Sequence, residues 1–457
     1  MFKTFANLFK VPELRARIFF TIALVAVARL LASIPTPGVD WNVIAHIKAE
    51  SNSLLGWFDS FTGGALAQCS IGTLSIWPYI SAQIIVQLLA AVVPTIGRLQ
   101  REGDAGRKTL NFYIRLLTIG ICLFQAGALA VGMLNPDTLF GYSGAYGDLV
   151  VVESPVLFVI TTAVFMTGAS MFIMWLADQI TARGIGNGVS FLIMVNIASR
   201  LPTAISLAKL RYFGSAEAEA TAQIWELLLL LAFGFAILLG TVAITQALRK
   251  IPIHNTRSIA KGAAYGGSNS TYLPLRVNYA GVMPIIFAGP ILSIIGMLSK
   301  LEGANGFSAT LKKIGEMVSP AMGVTSTYII LYGALILFFT FFWVATQFNA
   351  MNISEGLKRE GSYIPGIRPG MPTAEYLDGV MTRVTFIGAL SLLAIAIIPL
   401  MLTGARDIPF DIANFFGGTS LLIIVGVALD TLRQLEAHLV MRNYDGFLRH
   451  GRIAGRR

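Results

Sequence analysis

Charge is what this sequence has least of. Only 13% of its 457 residues are Asp, Glu, Lys or Arg, while 55% are hydrophobic. A soluble domain carries about 25% charged residues, so the chain has roughly half the charge a water-facing surface needs. An array of soluble domains is thereby excluded. Cysteine is scarce as well. Cys69 and Cys122 stand far apart in apolar surroundings, and the four histidines, His46, His254, His438 and His450, are scattered. That excludes a disulfide framework and a Cys/His metal site, and both cysteines read as packing residues. There is no G-x-x-x-x-G-K-[ST] phosphate loop. The nearest glycine-rich stretch, Arg183-Gly184-Ile185-Gly186-Asn187-Gly188, falls in a short turn that opens an apolar run, where small residues permit a tight helix–helix connection. No catalytic constellation and no need for a cofactor emerge. The protein is not expected to be an enzyme, and any work it does must be driven by a partner or a gradient.

What the sequence has in abundance is long apolar runs. A membrane span needs about 20 mainly apolar residues. Ten segments qualify, at about 16–34, 72–93, 110–133, 154–177, 186–206, 222–246, 280–299, 324–346, 379–402 and 414–436. Backbone polar groups cannot go unpaired in lipid, so spans are helices or closed barrels. Continuous apolar runs without period-2 alternation predict helices. Lys10, Arg15 and Arg17 before the first run look like a signal peptide, but Pro35-Thr36-Pro37-Gly38 follows instead of a small-x-small cleavage site. A retained first helix is expected.

The excess of positive charge, +10 in total, is informative by location. Segments 1–17, 94–109, 178–185, 247–279, 347–383 and 433–457 hold 24 of the 34 Lys and Arg residues, and the intervening loops hold 8. This three-to-one bias predicts both termini in the cytoplasm. Ionisable groups within spans are sparse: Arg29, Arg115, Glu226 and Asp430 each lie toward the end of a span. They read as snorkelling or paired side chains, not as an ion path through the midplane.

Three stretches depart from simple spans and short loops. Apolar character begins at Leu54-Leu55-Gly56-Trp57-Phe58, weakens through Asp59-Ser60-Phe61-Thr62-Gly63-Gly64 and resumes before Trp77-Pro78-Tyr79. A short half-helix of about 57–70 followed by a full helix is expected. Irregular backbone at membrane depth is tolerated where it lines a cavity. The long segment 247–279 carries Arg249, Lys250, Arg257, Lys261 and Arg276 with no acid, and 347–378 holds Arg368 between two Pro-Gly pairs in Pro365-Gly366-Ile367-Arg368-Pro369-Gly370. Both are expected to be ordered cytoplasmic protrusions, and an Arg presented at a rigid tip suits a carboxylate or phosphate on a partner.

The chain resembles the SecY family, the central subunit of the bacterial Sec protein translocase, over nearly its whole length. The resemblance is carried by Phe61-Thr62-Gly63-Gly64-Ala65-Leu66, Pro78-Tyr79-Ile80-Ser81-Ala82-Gln83, Arg183-Gly184-Ile185-Gly186-Asn187-Gly188, Leu273-Pro274-Leu275-Arg276-Val277-Asn278, Pro365-Gly366-Ile367-Arg368-Pro369-Gly370 and Phe416-Gly417-Gly418-Thr419-Ser420-Leu421-Leu422-Ile423. It implies an all-α membrane protein with ten transmembrane helices in two pseudo-symmetric five-helix halves, 1–206 and 207–436, followed by a basic cytoplasmic tail, 437–457. An hourglass pore would lie between the halves, closed by a half-helix plug. The implied function is a protein-conducting channel for secretion across, and lateral insertion into, the bacterial cytoplasmic (inner) membrane.

By motif, the pore ring would be Ile76, Ile80, Val189, Ile193, Ile286 and Ile423. Ile76 and Ile80 are i,i+4, as are Val189 and Ile193, so each pair shares one helix face. Branched aliphatics make a dry constriction that resists ions and water. The plug would include Phe61, Gly63, Gly64, Ala65 and Leu66, with the paired glycines providing backbone freedom for displacement. Ser81, Ile84, Ile294 and Leu422 would belong to a lateral gate. Arg257, Lys261 and Arg368 would dock the ribosome or the SecA ATPase. The implied partners are the SecE and SecG subunits, SecA, the ribosome, signal-bearing preproteins and the lipid bilayer. Two departures stand out: Val189 is smaller than the isoleucine expected, and Gly262-Ala263-Ala264 replaces the basic residues expected before Tyr265. Two other readings fit ten helices and a broken segment: a secondary transporter for a small solute, and a membrane scaffold that only recruits partners.

Overall fold

The computed structural model describes residues 12–44, 59, 62–134, 148–152, 154–214, 224–255, 271–297, 326–406, 412 and 419–450. They are overwhelmingly helical. In chain order the elements are α1 (Pro12–Ser33), α2 (Trp77–Val92), α3 (Pro94–Arg101), α4 (Asp104–Leu134), α5 (Pro155–Arg183), α6 (Gly188–Ala198), α7 (Leu201–Phe213), α8 (Ile224–Gln246), β1 (Leu248–Asn255), β2 (Thr271–Arg276), α9 (Met283–Met297), α10 (Ser326–Gln347), α11 (Ala350–Arg359), β3 (Ser362–Tyr363), α12 (Met371–Arg406) and α13 (Thr419–His450). Each of the ten expected spans coincides with one or more of these helices. Among the described residues seven helices are long and apolar enough to cross a membrane, and Trp77–Ala90 is a shorter apolar one.

The boundaries move where prolines and glycines set them. The span expected from residue 72 starts as a helix only at Trp77. Ser75 has φ +48, which a right-handed helix cannot contain, and Pro78 then sits in the first turn, where its missing N–H costs nothing. The span expected at 186–206 is two helices, because the chain turns at Ser199–Arg200 and restarts with Pro202 in the first turn of α7. Helices α12 and α13 run beyond their expected apolar cores, α12 at both ends and α13 toward the C-terminus.

The chain forms two compact units. The first comprises Met1–Leu207 and Val427–Arg457, the second Ala208–Gly426. In the first unit α4 packs along α5, α2 along α4 and α1 along α5. The buried positions of α4 are Gly106, Leu110, Ile114, Thr118, Cys122, Ala126, Ala130 and Met133, a ridge at spacing four as far as Ala130 with a last step of three. The small side chains in it let the helix backbones approach closely. Other faces of the same helix carry Phe112, Leu116 and Phe124, the last 79% exposed. Apolar side chains on both sides fit a helix with protein on one side and hydrocarbon on the other. Some buried hydroxyls bond back to the preceding turn: Thr118 Oγ1 donates to the Ile114 carbonyl at 2.7 Å and Thr340 Oγ1 to that of Ile336 at 2.6 Å, which satisfies these polar groups within their own helices.

The glycine-rich turn between α5 and α6 is as tight as its composition requires. A Cβ on Gly188 would overlap the Ala177 carbonyl oxygen. Gly188 N–H donates to Thr181 Oγ1 at 2.9 Å, and Asn187 caps α6 by accepting from the N–H groups of Val189 and Ser190 at 3.1 and 3.4 Å.

In the second unit α9 packs on α10, α10 on α12, and α8 and α11 on α12. A three-stranded sheet of order β2-β1-β3 projects from these helices. β1 and β2 pair antiparallel from Leu248↔Arg276 to Ile253↔Thr271, and β1 also pairs with β3 through His254↔Tyr363 and Asn255↔Ser362. Along β1, Ile251 and Ile253 are buried while Lys250 and Pro252 are exposed, the alternation of a strand with one face on a core. That core joins Ile251, Leu275, Val344, Phe348, Ile364, Leu377 and Val384. The described parts of the two long loops are thus one ordered body, not two independent protrusions.

Replacing Gly188 by Val is expected to force α5 and α6 apart and to lower the thermal midpoint of the detergent-solubilised protein by several degrees. Asn187→Ala, which removes one cap, should cost about 1 kcal/mol. Circular dichroism melts of the two variants check both the direction and the order of the effects.

Candidate functional site

The broken stretch before α2 is the least regular part of the first unit and the most heavily bonded. Asp59 and Thr62 have helical conformation, and the helix ends there, because Gly63 and Gly64 both have positive φ, +71 and +92. From Gly63 to Ser75 the chain is a succession of turns, with Ser70 bridged to Pro35. The half-helix expected over 57–70 therefore gives way to turns after Thr62. Its beginning, including Trp57 and Phe61, lies outside the described residues.

These turns satisfy their backbone groups by other means than a helix. The buried carboxylate of Asp59 accepts from the N–H groups of Leu66 and Ala67 through Oδ1, at 3.0 and 3.1 Å. Thr62 Oγ1 donates to the same oxygen at 3.3 Å. The Gly64 N–H donates to the Asp59 carbonyl at 3.1 Å and the Ser70 N–H to that of Ala65 at 3.0 Å. Thr36 Oγ1 donates to the Cys69 carbonyl at 2.6 Å and Thr73 Oγ1 to that of Ser70 at 2.5 Å.

Three elements of the first unit hold this segment by polar groups. From α1, Arg29 donates through Nη2 to the Gly63 carbonyl at 2.9 Å and through Nη1 to Asn196 Oδ1 at 3.3 Å. From α6, Asn196 Nδ2 donates to Ser75 Oγ at 3.0 Å. From the turn between α6 and α7, Ser199 Oγ, which donates to the Asn196 carbonyl at 2.6 Å, also lies 3.3 Å from the Gly63 carbonyl, and Arg200 Nη1 pairs with Asp59 Oδ2 at 2.9 Å. The Asp59 side chain is 3% exposed and that of Arg200 17%, so the pair lies in a medium where charges interact strongly and neither is well solvated. Gly63 has no room for a side chain. A Cβ there would overlap Arg29 Nη1 and lie 2.8 Å from the Asn196 carbonyl oxygen and from Ser199 Oγ. Its role is close approach as well as backbone freedom. Farther along, Cys69 and Leu74 join a buried cluster with Cys122, Ala126, Ala130, Met133, Phe158 and Met166. The segment is thus polar-anchored at residues 59–63 and apolar-anchored at 69–74.

The six aliphatics predicted to ring a pore are divided between the units. In the first unit Ile76 precedes α2 and Ile80 lies one turn on, with Ile80 N–H donating to the Ile76 carbonyl at 3.2 Å. Val189 and Ile193 lie one turn apart on α6. The Asn196–Ser75 bond ties the turn after Ile193 to the residue before Ile76. Ile76, Ile80 and Ile193 are buried and Val189 is half-buried. In the second unit Ile286 (α9) and Ile423 (α13) are buried.

Of the residues predicted for a lateral gate, Ser81 and Ile84 are half-buried on α2. Leu422 is buried in a cluster with Ile285, Ala288 and Leu292 of α9 and Tyr332 and Ile336 of α10. Ile294 lies on α9 with its side chain outside the described set. Of the residues predicted for the plug, Ala65 and Leu66 are buried.

Arg257 and Lys261 lie outside the described residues. Arg368 is exposed on a loop pinned from three sides. Thr373 Oγ1 donates to the Arg368 carbonyl at 2.8 Å, Ser354 Oγ to that of Gly370 at 2.6 Å, and Ile367 N–H to that of Ile364 at 3.1 Å.

Asp59 lies within the expected half-helix of about 57–70 but was assigned no role of its own there, and Asn196, Ser199 and Arg200 were not predicted as site residues. Asp59 carried a signal: a carboxylate where an apolar run falters. Arg200 carried none, because at the end of a span it reads as one more loop cation. Arg115, expected to snorkel or pair, meets Asp178 at 2.8 Å across α4 and α5.

The family model described as SecY matches residues 70–432. Among curated relatives, the protein translocase subunit SecY of Thermotoga maritima is 40% identical, covering 100% of both chains. That of Streptomyces galbus is 39% identical over 98% of this chain and 100% of its own, and that of Chlamydia muridarum 38% over 99% and 100%. Among solved structures, a protein-conducting channel superposes with a TM-score of 0.63 at 17% identity, covering 96% of this chain and 94% of its own. The channel of a canine ribosome–channel complex from the endoplasmic reticulum gives 0.60 with the same identity and coverage. So does a SecY protein whose plug domain is described as stabilising the closed state of the channel and maintaining a membrane seal. At that identity the structural likeness establishes the fold.

If Gly63 holds the segment by close approach, a side chain there must displace it. A cysteine introduced at Leu66, a position 5% exposed, is expected to resist a membrane-permeant maleimide in the parent background and to react rapidly once Gly63→Val is added. Cys69 and Cys122 should stay unlabelled in both, and peptide mapping of the labelled membranes reads all three sites.

Proposed function

This chain belongs to the SecY family of protein translocase subunits, and from that premise we propose that it is the pore of a translocase in which residues 59–70 are the plug and Ile76, Ile80, Val189, Ile193, Ile286 and Ile423 are the constriction. It is a multi-pass membrane protein and a protein-conducting channel. The observation that carries the assignment of parts is the bent segment 59–76. It sits beside two aliphatic i,i+4 pairs, and it is held by bonds within its own turns and by polar groups of Arg29, Asn196 and Arg200.

The chemistry suits passage of a polypeptide better than binding of a solute. Branched aliphatics offer a crossing chain no specific hydrogen bonds, so transit is indifferent to sequence, while the same surface excludes ions when closed. A polar plug seated by hydrogen bonds and an ion pair leaves as a unit, because breaking one bond exposes the others. Membrane segments of cargo would leave sideways past Ser81, Ile84, Ile294 and Leu422. We place the protein in the bacterial inner membrane with both termini in the cytoplasm, on the charge bias of its loops, and divide it into five-helix halves at 1–206 and 207–436. It catalyses no reaction itself. SecA or the ribosome would drive transport, with SecE and SecG completing the channel. The docking platform would be the sheet β2-β1-β3 with the Arg368 loop, together with Arg257 and Lys261. Because β1 pairs with β3, force applied at one loop is shared by the other.

Reconstituted with SecE and SecA, the protein is expected to give ATP-dependent protease protection of a signal-bearing preprotein. Protection no greater than in empty vesicles would count against the whole proposal. Arg368→Glu should lower SecA-driven protection by about tenfold or more, the scale of losing one partner of an interfacial charge pair, without reducing the amount of the subunit in the membrane. Cysteines at Ile80 and Ile286 should both crosslink to a stalled preprotein.

A further inference from the structure

The plug's seat contains charges that sealing does not require. A greasy stopper in a greasy collar would suffice to exclude ions, yet Asp59 brings a carboxylate, 3% exposed, into contact with Arg200 at 2.9 Å. Arg29 meanwhile reaches the Gly63 carbonyl at 2.9 Å. The two arginines come from different places, α1 and the break between α6 and α7. Their targets are four residues apart in the same turn. Asp59 is also the residue around which that turn is built, since Oδ1 holds the N–H groups of Leu66 and Ala67 while Oδ2 faces Arg200. One carboxylate therefore both shapes the plug and ties it down.

We propose, on the plug assignment made above, that the Asp59–Arg200 ion pair, assisted by Arg29 on the Gly63 carbonyl, is the latch that sets how often the plug leaves its seat. The resting leak of the channel is then governed by these three side chains as much as by the aliphatic ring. The physical basis is the asymmetry of buried pairs. Two partnered charges are tolerated in a poorly solvated site, whereas one charge deprived of its partner is strongly unfavourable there. Removing either charge destabilises the seated state and shifts the population toward the displaced one. Removing both leaves two neutral amides at the same positions, able to hydrogen-bond each other, and restores part of the seating.

The test is ion conductance of the complete complex in planar bilayers in KCl, without preprotein, for the parent, Arg200→Gln, Asp59→Asn, the double variant and a deletion of residues 59–69. The deletion reports on the plug assignment and the point variants on the latch. Each single variant is expected to raise the resting open probability by about tenfold or more, the change that loss of about 1.4 kcal/mol produces. The double variant should leak less than Arg200→Gln alone. If the deletion leaks and both single variants seal like the parent, the latch is overturned while the channel stands. Leak of the double variant equal to the product of the two singles would overturn the pairing, since independent side chains multiply. Should the deletion itself stay silent, the plug assignment falls and the latch with it. If Arg200→Gln does not assemble with its partner subunits, Asp59→Asn decides alone. It keeps the Oδ1 acceptor that Leu66 and Ala67 require and loses only the charge.

Discussion

Every peptide unit in the hydrocarbon of a membrane must find its hydrogen-bond partner within the protein, and that constraint orders this structure. Most of the described chain is helical, and buried hydroxyls such as those of Thr118 and Thr340 fold back on their own helices. The segment from Gly63 to Ser75 cannot be, because Gly63, Gly64, Cys69 and Ser75 all have positive φ. It survives because other groups stand in for the missing ladder. The Asp59 carboxylate takes two main-chain N–H groups, Thr36 and Thr73 cap carbonyls, and Arg29 takes the carbonyl of Gly63.

A segment satisfied in this way differs from a helix in one consequential respect. Helix bonds are internal and travel with the element, whereas those of Arg29 to Gly63 and Arg200 to Asp59 cross to other elements and are lost if the segment moves. Its far end, with Cys69 and Leu74 in the cluster of α4 and α5, is fixed by apolar burial. The ridge of small residues on α4 makes that cluster close-packed. A segment with one adhesive end and one rigid end is a hinged part, with Gly64 between them.

The sheet and the Arg368 loop follow a different logic. Outside the bilayer, strands are permitted, and β1 joins the first long loop to the second through His254↔Tyr363 and Asn255↔Ser362. The apolar face of this small sheet continues into Val344 of α10, Phe348 just after it and Leu377 of α12. Arg368 is thereby presented from a base that is packed, not from a free loop, which lowers the entropy lost when a partner takes hold.

Much of this was legible in the amino-acid order. The number of helical spans, the membrane class and the irregularity before Trp77 follow from apolar run length and from the placement of Gly and Pro, which act locally. The i,i+4 relations of Ile76 with Ile80 and Val189 with Ile193 needed only the helix period. The identity of Arg368 as an exposed tip needed only its flanking Pro-Gly pairs. What the order could not disclose were relations between residues far apart along the chain. Asp59 with Arg200 and Asn196 with Ser75 are separated by well over a hundred positions, and Arg29 with Gly63 by 34. So too is the pairing of β1 with β3. A charge at the end of a span looks the same whether it faces lipid headgroups or a buried carboxylate. Only tertiary packing, by deciding what lies opposite each side chain once water is excluded, turns that charge into a partner.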